Sequence, residues 1–139
     1  AAPSPSVLEQ LSLHKPAILL WFQPGVDGWS ADDWYAYFGE RAGIAEFDGG
    51  LPRSVAEAQA FACCVTEWMN RNPETSSPEQ CVVCGGGDSA NDPLLPCGVE
   101  PDGHAWLHSR CWQGWYERRE ADAAIALAKM GIEKREAQP

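Results

Sequence analysis

The chain has 139 residues, 45% of them apolar, and a formal net charge of −10. That length supports one core, or two small ones side by side. An acidic surface repels phosphate, which argues against nucleic acid as the default partner. The longest apolar run, Ala17 to Phe22, falls far short of the ~20 residues that cross a bilayer, so a soluble, cytoplasmic protein is expected.

Residues 1–5 are linker-like in composition, and the start at Ala1 without a methionine leads us to expect further chain upstream. Ser6 is a plausible cap for a helix carrying Val7, Leu8 and Leu11 on one face. His14-Lys15-Pro16 then interrupts it, and Pro16 suits the first turn of a second short helix, Ala17 to Phe22. Leu19, Leu20, Trp21 and Phe22 are expected in the core. Residues 6–22, with Ser6-Val-Leu-Glu-Gln-Leu and His14-Lys-Pro-Ala-Ile-Leu-Leu-Trp-Phe, resemble the last two helices of the N-terminal docking domains of hybrid peptide and polyketide synthetases. That resemblance covers about 17 residues and implies a partner-docking role.

Pro24 to Trp29 reads as a loop, and Ser30 as the cap of a helix whose first turn carries Asp32 and Asp33. Trp34, Tyr37, Phe38 and Ala42 form its packing stripe, Gly43 its end, and Ile44 to Gly50 a short connection. The next helix shows a capping-box spacing at Ser54 and Glu57, with Ala58, Phe61, Ala62, Val65, Trp68 and Met69 facing inward until Asn72-Pro73 stops it. Cys63 and Cys64 lie about 100° apart on that helix, which suits buried thiols better than joint chelation. Pro73 to Glu79 is the internal linker, dividing a helical part (6–73) from a second part (79–132).

The second part carries the chemistry. Cys81-x-x-Cys84 and His108-x-x-Cys111 are two pairs of matched spacing with 23 residues between them. A structural zinc takes four such ligands in a tetrahedron, and Gly85-Gly86-Gly87 lets two thiolates converge in a turn. With no secretory signal pattern, a disulfide framework is the weaker reading. His104 faces the same side of a strand as His108 and is an alternative ligand, as is Cys97. A hairpin is expected from Leu94 to His108, turning at Glu100-Pro101-Asp102-Gly103. The last helix should start near Ser109 and bury Trp112, Trp115, Tyr116, Ala123, Leu127 and Met130, with Gly131 ending it and residues 133–139 fraying. Trp112 and Trp115 are expected to cover the hairpin and meet the aromatics of the N-terminal helices, because seven tryptophans need shared cover.

Knuckle, hairpin and helix in that order, with Cys-x-x-Cys-Gly and His-x-x-Cys at a helix start, resemble a treble-clef zinc finger over residues 79–131. Phe61-Ala-Cys-Cys-Val, Glu67-Trp68, the glycine knuckle, Asp92-Pro-Leu-Leu-Pro and His104-Ala-Trp-Leu-His with Cys111-Trp112 also resemble a set of uncharacterised small bacterial proteins, over roughly residues 27–132. No activity comes with that resemblance. The expected fold class is α+β and mostly helical, with N-terminal helices packed on a metal knuckle, hairpin and long C-terminal helix.

A four-ligand site leaves no position for substrate or water, so the zinc is read as structural and the chain as a non-catalytic binding or adaptor module for a protein partner. Residues 1–107 hold 15 acids and 4 bases, while residues 108–139 hold 5 acids and 6 bases. An alternative is therefore nucleic-acid binding through Arg110, Arg118 and Arg119 on the last helix. A nuclease-like hydrolase with His104 as general base is the remote alternative, because the helix offers Gln113, Glu117 and Glu120 where a further metal-binding His or Asn would be needed.

Overall fold

The computed structural model describes residues 2–98 and 103–134. Four α-helices, a single π-helical turn and one two-stranded antiparallel hairpin follow in the order α1 (Pro5–Phe22), α2 (Ala31–Gly43), the π-turn (Ile44–Asp48), α3 (Arg53–Arg71), β1 (Leu94–Cys97), β2 (Ala105–His108) and α4 (Ser109–Lys129). The α+β, mostly helical class is as expected.

Helix α2 begins where the sequence places it. Ser30 Oγ accepts from the Asp33 N–H, and the Asp33 carboxylate accepts from the Ser30 N–H at 2.8 Å, closing a reciprocal cap. Those bonds hold the Asp33 carboxyl below its ordinary range. Gly43 does not end the helical path: the chain runs straight into the π-turn, so the expected loop over 44–50 is largely helical. Helix α3 starts at Arg53 after Pro52, which offers no side-chain cap. Ser54 and Glu57 thus lie inside the helix and do not cap it. The face α3 buries is Ala56, Ala60, Phe61, Cys64 and Val65, turned by a residue or two from the expected stripe, so Ala62 is exposed while Trp68 and Met69 are half-buried. Small residues win those inner positions because α2 packs closely there.

Two apolar clusters meet along α4. Trp34 from α2, Phe61, Cys64 and Val65 from α3, and Ala123, Leu127 and Ile132 from the C-terminal stretch form the first, with Trp29 and Trp68 packed on it. Leu94, Ala105 and Leu107 of the hairpin form the second with Cys81 and Cys111, covered by Trp106 and Trp115. The residues of α4 at steps of four, Cys111, Trp115, Arg119, Ala123 and Leu127, thread both clusters. The two halves therefore share one helix. Helix α4 ends in a C-terminal turn: Gly131 is left-handed at φ +84°, and the Ile132 N–H returns to the Leu127 carbonyl at 3.0 Å. Trp112 departs from expectation. It remains 40% exposed and stacks on Tyr116, with ring centroids 4.8 Å apart, and the N-terminal aromatics are met by Ala123 and Leu127.

The segment before the knuckle is pinned as well. The Ser76 N–H donates to the His104 carbonyl, Ser76 Oγ accepts from the Trp106 N–H at 2.8 Å, and the Val82 N–H donates to the Trp106 carbonyl. In the hairpin, Leu94 pairs with His108 and Cys97 with Ala105. The expected turn at 100–102 lies outside the described residues, as does most of the tail expected to fray.

The largest departure is α1. The chain forms one helix through His14-Lys15, with Pro16 in its interior, and the cap is Ser4, whose side chain accepts from the Val7 N–H. None of its residues is buried. Leu19, Leu20 and Phe22 are exposed where a core position was expected, and Trp21 alone is half-buried, its ring 6.0 Å from that of Tyr35.

Candidate metal centre

The knuckle is a tight loop whose backbone aims N–H groups at sulfur. The Gly85 N–H donates to the Cys81 carbonyl at 2.9 Å, and the Cys81 N–H to the Gly86 carbonyl at 2.8 Å. The Val83 N–H approaches Cys81 Sγ and the Gly86 N–H approaches Cys84 Sγ, each at 3.4 Å. Gly85 is left-handed at φ +75°, and a Cβ on Gly86 would lie 3.2 Å from His108 Cε1 and 3.3 Å from Cys84 Sγ. The glycines are thus needed for the turn and for the close approach of the ligand pair.

The second pair comes from the junction of β2 and α4. His108 is the last residue of β2 and the extended residue that precedes α4, with φ −71° and ψ 149°, and Cys111 is the third residue of the helix. The pair therefore does not share a helical turn. A strand end and a helix start converge on one point instead. The ligand atoms of Cys81, Cys84, His108 and Cys111 all lie within 4.8 Å of one another. Metal–sulfur bonds of ~2.3 Å in a tetrahedron put sulfurs ~3.8 Å apart, so the four donors converge to within about an ångström of the spacing one ion needs. Cys81, His108 and Cys111 are buried and Cys84 is exposed.

The surroundings fix the imidazole. His108 Nε2 lies 2.9 Å from the Gly87 carbonyl, which needs a hydrogen on that nitrogen and leaves Nδ1, 3.3 Å from Cys84 Sγ, as the inward donor. The Gly87 carbonyl is also the leading cause that raises the His108 pKa. Burial pushes the Cys111 thiol up to about 11, with Cys81 and Cys84 adding to it. At Cys81 burial opposes ionisation, but the backbone N–H groups of Cys84, His108 and Val83 outweigh it and draw the thiol down to about 6. The Gly86 N–H lowers Cys84. Such thiols lose their protons together when a cation supplies the compensating charge.

Sequence reasoning missed the outer ring of this site. Asp92 accepts from Arg110 Nε at 3.0 Å, and the same guanidinium reaches Cys84 Sγ at 3.6 Å and Cys111 Sγ at 3.7 Å. Three thiolates and a neutral imidazole around a divalent ion would leave one net negative charge, which Arg110 is placed to offset. Its position between His108 and Cys111 in the chain was the available signal.

Cys97 and His104 do not join the cluster. Cys97 is half-buried in β1, where burial raises its thiol pKa. His104 precedes β2, and its ring packs edge-on to Trp106 at 6.2 Å. The three arginines considered for polyanion contact are all engaged within the molecule. Arg118 makes two bonds to the Glu74 carboxylate and one to Asp122. Arg119 is buried, donates to the Met69 and Asn72 carbonyls and sits 5.4 Å from the Trp68 ring. Arg110 holds Asp92 and faces the thiolates. Cys64 is fully buried in α3, its thiol pushed up to about 12 by burial, as expected of a packed sulfur.

No protein-family model matches the chain, and no curated protein or solved structure is similar enough to match. The fold and the site define a class: a small, mostly helical α+β protein with a Cys₃His cluster able to hold a metal ion. Among the described residues, no helix is long and apolar enough to cross a membrane.

Proposed function

We propose that the chain is a zinc-stabilised, non-catalytic binding module of treble-clef type that engages a protein partner. The observation that carries this reading is the closed donor set, in which four side chains surround one point and two of them, Cys81 and Cys111, are also part of the hairpin's apolar cluster. Three thiolates and one imidazole converging on one point favour zinc among common divalent ions. A fully ligated ion has no position for water or substrate, so its contribution is to folding, ~10–16 kcal/mol of apparent binding energy in small zinc-dependent units. The order of knuckle, hairpin and helix supports the treble-clef assignment.

The partner surface we assign is an aromatic cleft on the α3 side of α4. A cleft of about 270 Å³ opens between α3, β1 and α4, lined by Met69, Pro73, Glu74, Trp112, Trp115 and Tyr116. Half-exposed aromatic side chains around a small apolar cleft are the usual anchors of protein contacts.

Elemental analysis of the purified chain tests the site. One equivalent of zinc is expected, lost on replacing Cys81, Cys84, His108 or Cys111 by alanine and retained in Cys97→Ala and His104→Ala. Protein that carries no metal, or whose metal survives loss of those ligands, overturns the reading.

A further inference from the structure

We propose that the centre is gated by oxidation: a peroxide enters at Cys84, a disulfide between Cys81 and Cys84 opens the site, and Arg110, anchored on Asp92, is the positioning residue that slows this step. The inference rests on the zinc reading above and adds its regulation. Of the six cysteines in the chain, Cys84 alone is exposed. The other three ligand side chains are buried, so a small polar oxidant meets one sulfur of the centre first. Thiolate, the form a metal ligand takes, is also the form that reacts.

The partner sulfur is supplied by the same loop. Cys81 stands three positions before Cys84, and the two Sγ atoms belong to a cluster whose ligand atoms lie within 4.8 Å of one another. An S–S bond needs an approach to about 2.0 Å. The left-handed Gly85 and the bare Gly86 give the knuckle backbone the freedom to make it. Cys111, by contrast, is fixed in the first turn of α4. The Cys84 thiolate attacks one peroxide oxygen, so an S–O bond forms, the O–O bond breaks and hydroxide leaves. The Cys81 thiolate then attacks the Cys84 sulfur, an S–S bond forms, the S–O bond breaks and a second hydroxide leaves. Two electrons pass from the sulfur pair to the peroxide. His108 and Cys111 remain as the only donors, too few to close the site. Cys81 is part of the hairpin cluster that Trp115 covers, and Trp115 also lines the cleft assigned to the partner, so the change at the knuckle reaches that surface.

Arg110 opposes the first attack. Its Nη groups lie 3.6 Å from Cys84 Sγ and 3.7 Å from Cys111 Sγ, while its Nε donates to the Asp92 carboxylate at 3.0 Å. A charged donor on a thiolate engages an electron pair that would otherwise attack. The Asp92 bond holds the guanidinium over the one ligand that solvent reaches.

The full, zinc-loaded chain treated with hydrogen peroxide tests this, with metal content measured before the oxidant is added. Zinc release is followed with a chromogenic chelator, free thiols are counted, and the disulfide is located by peptide mass mapping. Release should keep pace with the loss of two thiols per zinc and with linkage of Cys81 to Cys84, and dithiothreitol with added zinc should reverse it. Arg110→Gln should load zinc as wild type does and release it several-fold faster under peroxide. Arg110→Lys keeps the charge and should stay nearer wild type, and Asp92→Asn should speed release less than Arg110→Gln. Zinc retained under peroxide, a disulfide joining any other pair, or release from Arg110→Gln no faster than from wild type overturns this proposal alone. Protein purified without zinc overturns it together with the zinc reading.

Discussion

Arg119 is a cation set in the middle of the inward stripe of α4, between Trp115 and Ala123. Its guanidinium closes the end of α3, where helical carbonyls run out of N–H partners, by donating to Met69 and Asn72. Positive charge at a helix C-terminus also suits the helix dipole, and the Trp68 face adds a cation–π contact. Truncation takes the donor away from both carbonyls at a half-buried helix end. Arg119→Ala should therefore lower stability by about 2–3 kcal/mol in urea unfolding at saturating zinc. Arg119→Lys should recover only part of that, because a single ammonium cannot reproduce the fork. A loss under 0.5 kcal/mol, the level of ordinary surface changes, would mean that the carbonyls find other donors. From sequence alone Arg119 belonged to a basic face, because a helical wheel gives the direction of a side chain and not what lies opposite.

At the scale of elements, the segment between α3 and the knuckle is fastened to α4 as well as to β2. Glu74 accepts from Trp115 Nε1 at 2.9 Å and from Arg118 Nη2 at 2.6 Å. Burial raises this carboxyl, yet the bonds from Arg118 and Trp115 together prevail and hold it below its ordinary 4.5. A carboxyl lowered on folding stabilises the fold above its unfolded pKa, and that contribution disappears as pH falls through the folded value. The stability advantage of wild type over Glu74→Gln should thus be about 1 kcal/mol and flat at neutral pH, then shrink below pH 4.5. Comparing the two proteins at each pH cancels acid release of the metal, which is common to both. An advantage that grows on acidification would reverse the assignment. The knuckle, the hairpin and the start of α4 were legible because ligand spacing and glycines speak through local geometry. The α1 helix was not, because Pro16 reads as a break while the structure runs through it, and the burial of Leu19, Leu20 and Phe22 depends on whether a surface exists for them. Likewise Gly43 is a terminator in isolation, but it sits at φ −61° at the start of the π-turn.

Across the whole molecule, α4 is rooted in two clusters of unequal self-sufficiency. The first buries Trp34, Phe61, Val65 and Leu127 among three helices without any ligand residue. The second has two cysteines of the candidate metal cluster among its five buried members, and its strands are four residues long. A hairpin of that length is not stable alone in water, so a metal held by the cluster, as proposed, would fix it in place together with the first turn of α4. Chelation should therefore act locally. In hydrogen exchange, amides of Leu95, Leu107 and the knuckle should lose protection when zinc is stripped, while those of Ala60 to Val65 in α3 keep most of theirs. Trp115, whose ring covers the second cluster, should report the same opening by fluorescence, and adding zinc back should reverse it. Helical circular dichroism should fall only by the fraying of the first turns of α4. Simultaneous loss of protection in α3 would instead mean that the shared helix couples the clusters into one cooperative unit, and that the metal supports the whole fold and not one end of it.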